Sequence, residues 1–243
     1  MAVPYFPRAL LREKSHSWNL GGHAATPGAT ADSTAVVVRS DGGGYWIATM
    51  SDVSLGARAV GQGRQRQRNA TLLWRAVRQV AKGGAAPMTV WCNDAQARPW
   101  PAGVAQGAPP AVPHGDDTPF SDGSEYEQAM IDIICGAAAL RATSLGIIIN
   151  RAGSLVGGER FSINHDTVGW RVYEISTVVY SDATHATIGF NPPLRENVVA
   201  GTALEFDRPR CTMRLATPGA MDLAEQPWTF NSVTVQFVEA TAI

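Results

Sequence analysis

Between residues 159 and 216 the chain breaks into a succession of short extended runs, each closed by glycine, proline or aspartate, and few folds accept that pattern. Phe161 and Ile163 fall on one face of the first run, and a turn follows at residues 166 to 169. Val172, Glu174 and Ser176 then alternate with Tyr173, Ile175 and Thr177, and residues 187 to 190 make a further strand. Pro192 and Pro193 stop it, because neither can donate to a ladder, and Pro193 suits the first turn of a short helix. After the turn at Gly201 and Thr202 come extended runs at 203 to 206 and 211 to 216. Pro209 keeps them from being one continuous central strand. Short strands at this spacing predict a small antiparallel β-barrel, closed or nearly so.

The N-terminal part has a different rhythm. Residues 17 to 20 and 34 to 39 are extended, and Val36, Val37 and Val38 are all β-branched. The Ser40-Asp41-Gly42-Gly43-Gly44 stretch supplies the positive φ angles of a hairpin turn, and residues 45 to 53 return as a strand with Trp46, Ala48 and Met50 on one side. From Asn69 the period lengthens. Ala70, Leu73, Val77 and Val80 lie three or four apart, with Arg75, Arg78 and Gln79 opposite, which predicts an amphipathic helix ended by Gly83 and Gly84. Residues 88 to 92 are a further strand.

Residues 93 to 124 turn to proline, glycine and acid, the composition of a long loop or linker. From 126 to 150 a helix is expected to turn into a strand, since Met130, Ile133 and Ile134 fit a helical face and residues 145 to 149 are continuously apolar. Near the end, Val233, Val235 and Phe237 alternate with Thr234, Gln236 and Val238 as a terminal strand. The N-terminal strands need a larger sheet to cover helix and hairpin, and this strand can supply it. The expected organisation is mainly β: a discontinuous β-sandwich domain of residues 1–98 and 212–243 with one packed helix, and an inserted barrel of residues 99–211. Leu73, Val77, Val80, Val233, Val235 and Phe237 form the expected core of the discontinuous domain.

Composition narrows the function classes. Charged residues make up only 17% of the 243, and the formal net charge is −1, which disfavours a general nucleic-acid binder. Cys92, Cys135 and Cys211 have no metal-like or redox-like spacing and are expected as reduced core thiols, in a chain made in a reducing cytoplasm. No signal sequence opens the chain, and no apolar run reaches the roughly 18 residues of a membrane span.

Chemistry-bearing patterns are few. His16, His23, His114, His165 and His185 lack paired metal spacing and are expected at the surface. No nucleophile elbow, P-loop or GxGxxG precedes a helix, so no cofactor is expected. Asp116, Asp117 and Asp122 crowd one loop and offer a weak calcium site. They lack the closing glutamate of an EF-hand, and aspartates bonding their own backbone explain them more simply. Arg64, Arg66 and Arg68 alternate with Gln65 and Gln67, either as a patch facing phosphates or a neighbouring subunit or as a solvated loop before the helix.

The chain resembles the distal tail proteins of long-tailed bacteriophages. The resemblance rests on Val112-Pro113-His114-Gly115-Asp116-Asp117-Thr118-Pro119-Phe120-Ser121-Asp122-Gly123, on Leu140-Arg141-Ala142-Thr143-Ser144-Leu145 and on Pro192-Pro193-Leu194-Arg195. It rests also on the run from Leu204-Glu205-Phe206 through Cys211-Thr212-Met213-Arg214-Leu215-Ala216, and on Val233-Thr234-Val235-Gln236-Phe237-Val238-Glu239. It implies a non-enzymatic virion protein forming a homohexameric ring between tail tube and hub, with a tube-like β domain and a second domain of OB-like or lectin-like fold. The implied partners are further copies of the chain, the tail tube protein above and the tail hub protein below, with DNA only in transit through the lumen and no membrane. Residues 163 to 170 are longer than the tight hairpin expected there. Two other classes stand against this reading. One is a carbohydrate-binding module, with Trp46, Trp91, Trp100, Trp170, Trp228, Tyr173 or Tyr180 as stacking faces. The other is a cell-wall hydrolase, which needs a carboxylate pair or a metal site.

Overall fold

The computed structural model describes residues 3–22, 24–29, 35–39, 43–55, 63–102, 111–112, 126–127, 130–224 and 232–240. It is mainly β, with one α-helix. The chain divides into two compact units. The first comprises Met1–Cys92, Asn164–Arg171 and Arg210–Ile243, and the second Asn93–Ile163 and Val172–Pro209.

The first unit is organised on a five-stranded sheet. Its strands are β1 (Ser15–Gly21), β4 (Tyr45–Ser54), β5 (Met88–Trp91), β14 (Arg210–Leu215) and β15 (Ser232–Glu239), in the order β1-β4-β15-β14-β5. The terminal strand thus lies in the centre of the sheet, paired antiparallel to β4 and β14, with Phe237 opposite both Ala48 and Leu215. Alternation along β15 buries Val235 and Phe237, and Phe6 meets the Phe237 ring edge-on at 5.2 Å. Val233 is half-buried.

Two local expectations change. β3 (Ala35–Arg39) pairs with β2 (Ala24–Ala29) in a separate two-stranded ribbon, and β4 pairs with β1 and β15, so the hairpin expected between residues 34–39 and 45–53 does not form. The glycines at 43 and 44 do take positive φ, 66° and 83°. A turn signal fixes where the chain bends and leaves the partner strand to packing and register.

The helix, α1 (Gly63–Ala81), starts before Asn69 and ends as expected at Gly83 and Gly84, both with positive φ. Its buried side is set by Trp74 and Ala81, both fully buried, with Ala70, Leu73 and Val77 half-buried beside them. Val80 is 47% exposed, which removes it from the expected core. At 3.6 residues per turn Val80 lies about 120° round the helix from Trp74. Trp74 donates its indole N–H to the Met221 carbonyl at 3.0 Å, and Arg78 is 3.8 Å from Asp222. The segment before β15 thus grips the helix.

The second unit is a nearly closed barrel-like sheet of six strands: β8 (Asp132–Cys135), β9 (Ser144–Arg151), β10 (Arg160–His165), β11 (Gly169–Tyr180), β12 (His185–Asn191) and β13 (Thr202–Ala203). Their order is β10-β11-β12-β9-β8-β13. Reciprocal 2.9 Å bonds between Ser162 and Glu205 bring β10 back to the chain just after β13. Inside, Phe161, Tyr173, Phe190 and Phe206 pack ring on ring at 5.4 to 5.7 Å, the buried halves of the alternating pattern. The helix expected before residue 140 is absent: β8 occupies residues 132–135, after a bend at Met130 and Ile131. Ile133 and Cys135 are buried there, a period of two that the aliphatic spacing concealed. β6 (Ala111–Val112) and β7 (Tyr126–Glu127) form a small separate pair. No helix follows Pro193 either. The Asn191–Pro192 peptide is cis, and the segment is tied by backbone bonds to residues 138–142.

Candidate functional site

The residues singled out in the sequence scatter. Asp116, Asp117 and Asp122 lie outside the described residues, as do His23, His114 and Trp228. Positions 64, 66 and 68 lie within α1 instead of in a loop before it. Arg68 is exposed. Among the described residues, no group of three or more His, Cys, Asp or Glu side chains could hold a metal ion, and no helix is long and apolar enough to cross a membrane. The three cysteines are buried and form no disulfide with one another, as expected of core thiols, and burial pushes the Cys135 thiol up.

The described histidines have distinct settings. His165 is buried, contrary to the surface position expected. It belongs to the 164–171 stretch of the first unit, where β10 ends and β11 begins. His16 sits 3.3 Å from Glu13. His185 is exposed and pairs at 3.0 Å with Asp182, whose carboxylate also accepts the backbone N–H groups of Thr184 and His185 at 2.8 Å. Those bonds, the Thr184 N–H first and the His185 ring next, hold the Asp182 carboxyl down at about 2. This is a self-bonded turn.

The tryptophans offered as stacking faces are largely taken. Trp46 and Tyr173 are buried. Trp91, Trp100 and Trp170 are half-buried, and each carries a guanidinium over its ring: Arg8 at 5.0 Å, Arg98 at 5.8 Å and Arg210 at 4.9 Å. Arg210 also lies over Tyr5 at 5.7 Å. Arginine binds flat aromatic faces by cation–π attraction and stacking, so these rings present less free surface than their number suggests. Tyr180 is 43% exposed, but its hydroxyl accepts from the Leu155 N–H at 2.7 Å.

Two charged groups are buried where the alternation promised apolar core. Glu239 continues the inward row of Val235 and Phe237, and its carboxylate accepts the Trp46 backbone N–H at 3.0 Å. Arg171, 2% exposed, reaches the same carboxylate at 3.7 Å and donates to the carbonyls of Thr212 at 3.1 Å and Ala240 at 2.7 Å. Near the N-terminus Arg8 is bonded to Glu13 and to the Trp91 carbonyl, which excludes water from another buried pair. Burial pushes the Glu13 carboxyl up, but its bond to Arg8 and the neighbouring positive charge prevail and hold it below its ordinary value. The Arg171–Glu239 pair staples segments remote in sequence, as does the Arg8 bond to the Trp91 carbonyl. No protein-family model matches the chain, and no curated protein matches it.

Proposed function

We propose that the chain is a structural virion protein, a subunit of the distal tail ring that connects the tail tube of a long-tailed phage to its tip hub. The observation that carries the reading is the inequality of the two edges of the five-stranded sheet. At the β5 edge the N-terminal segment closes the ladder: the Thr89 N–H donates to Pro4 at 2.8 Å and the Phe6 N–H to Thr89 at 2.9 Å. At the other edge β1 has only β4 beside it among the described residues, and the chain runs on from β1 into the β2–β3 ribbon. Sheet edges on a free monomer invite aggregation, and closed symmetric assembly pairs edges of neighbouring copies.

A ring in which each copy contacts the next accounts for this edge, and the sixfold number comes from the resemblance to distal tail proteins. The tail tube protein and the hub protein are then its neighbours above and below, DNA passes through the lumen in transit, and assembly takes place in the cytoplasm of the host bacterium. The carbohydrate-binding reading is weakened by the arginines lying over Trp91, Trp100 and Trp170. Incubating the pure protein with peptidoglycan and capsular polysaccharides tests the non-enzymatic part. No soluble fragments are expected, and fragments whose release stops when one carboxylate is replaced would overturn it.

A further inference from the structure

The outward face of the barrel-like sheet, where β11, β12, β9 and β8 run side by side, is built unlike an ordinary solvated sheet. Its side chains form rows across the strands. One row is Val179, Thr187, Gly146 and Gly136, and the next is His185, Ile148 and Ile134. Beyond the first row lie Thr177, Gly189 and Ser144. None of these positions carries Asp, Glu, Lys or Arg, although Val179 is 65% exposed and Ile148 38%. Solvated faces of antiparallel sheets are normally polar, and depletion of charge is the mark of the central part of a protein interface.

The two glycines add a shape. A Cβ built on Gly146 meets nothing within 4 Å, one on Gly136 only the Gly146 carbonyl at 3.6 Å, and neither residue has the positive φ that demands glycine. Nothing inside the described chain requires glycine at either place. A strand glycine serves a bulge, a barrel corner or the close approach of another backbone, and the pairing of Gly146 with Thr187 and Gly136 shows no register shift there. The two glycines make a trough, and directly beside it, on the same two strands, Ile148 and Ile134 make a ridge.

A ridge next to an equal trough is self-complementary. A two-fold axis lying in the plane of the face, along the rows and between them, sets Ile148 of one copy over Gly146 of the other and Ile134 over Gly136, on both sides at once. The one titratable side chain in these rows, His185, is paired with Asp182, and the axis sets it over Thr187, so no like charges meet across it. We infer that this face binds the same face of a second copy of the chain. At strand spacings of about 4.8 Å and row spacings of about 6.8 Å the patch covers roughly 400 Å² per copy. Stable dimers bury about 800 Å² a side, so the contact is weak alone and grows where copies are already held together.

The proposal does not depend on the ring reading, and the full chain tests it two ways. In sedimentation from micromolar to near-millimolar protein, the native chain self-associates and Gly146→Arg raises the concentration needed at least tenfold, since the monomer has room for that side chain. A chain carrying Gly146→Cys and Ile148→Cys, mildly oxidised, yields a covalent dimer, the native cysteines being buried. Absence of that dimer overturns the proposal, as does identical sedimentation of the native chain and Gly146→Arg when no larger ring forms. If a ring dominates sedimentation, the covalent dimer decides. A ring without the dimer overturns this face alone, and the dimer without a ring overturns the ring reading alone.

Discussion

Arg171 meets Glu239 inside the first unit, its Nε 3.7 Å from a carboxylate that also holds the Trp46 N–H, and both side chains are almost wholly buried. Arg171 belongs to the 164–171 stretch and Glu239 to the strand at the centre of the sheet, so the pair ties a distant excursion of the chain to its terminal strand. Removing one member of a buried pair strands the other charge, at a cost of about 3 to 5 kcal/mol. Glu239→Ala and Arg171→Ala are each expected to lose that much in denaturant unfolding. The double variant should lose clearly less than the sum, and additive losses would show that the two do not act as a pair.

The helix separates two expectations sharply. Trp74→Ala removes a buried indole with its bond to Met221 and should cost about 3 to 5 kcal/mol, whereas Val80→Ala, on the exposed side, should stay within about 0.5 kcal/mol. Phe237→Ala should resemble Trp74→Ala, because it opens a cavity beside Phe6 at the middle of the sheet. Comparable losses at Val80 and Trp74 in thermal unfolding would contradict the assigned helix face.

Gly153 is held against the Pro99–Trp100 backbone, donating its N–H to Pro99 at 2.9 Å, and a Cβ there would run into the Trp100 carbonyl. Gly153→Ala is therefore expected to displace the 98–102 segment and free Trp100, readable as a shift of the Trp100 indole resonance in NMR of tryptophan-labelled protein. An unchanged spectrum with native stability would show that the contact has slack.

Asp182 gives a pH test with a defined sign. Its carboxyl is depressed from 3.8 to about 2, so its turn is fully held above pH 3.8 and is released as pH falls through about 2. Carboxyl NMR should place its midpoint near 2, and Thr184→Pro, which deletes the leading donor, should move it up. A midpoint near 3.8 in the native chain would refute the bonded turn.

The mainly β class was legible because strands announce themselves by alternation and by the residues that stop them, as Phe161, Ile163 and Phe190 did for the barrel core. Pairing partners were not, because the Val36–Val38 run suits any ladder and the nearby glycines name a bend without naming a neighbour. Aliphatic spacing alone draws the helix face out to Val80, whereas Trp74 and Ala81, seven apart, fix the buried side. Glu239 was invisible as a core residue since a carboxylate at an inward position signals a partner only once Arg171 is known to arrive there. The neutrality of the barrel's outward face is written in the sequence, yet it emerges only when β8, β9, β11 and β12 are set in order.

Ring formation by a structural protein, as proposed, is decided by imaging the purified protein by electron microscopy with a native mass measurement on the same sample. Closed rings of six copies are expected, with their mass unchanged by Gly146→Arg and lost when backbone pairing along β1 is blocked by Ser17→Pro in a chain whose second unit remains folded. A strict monomer at every concentration, alone and with tail tube and hub proteins present, would contradict it.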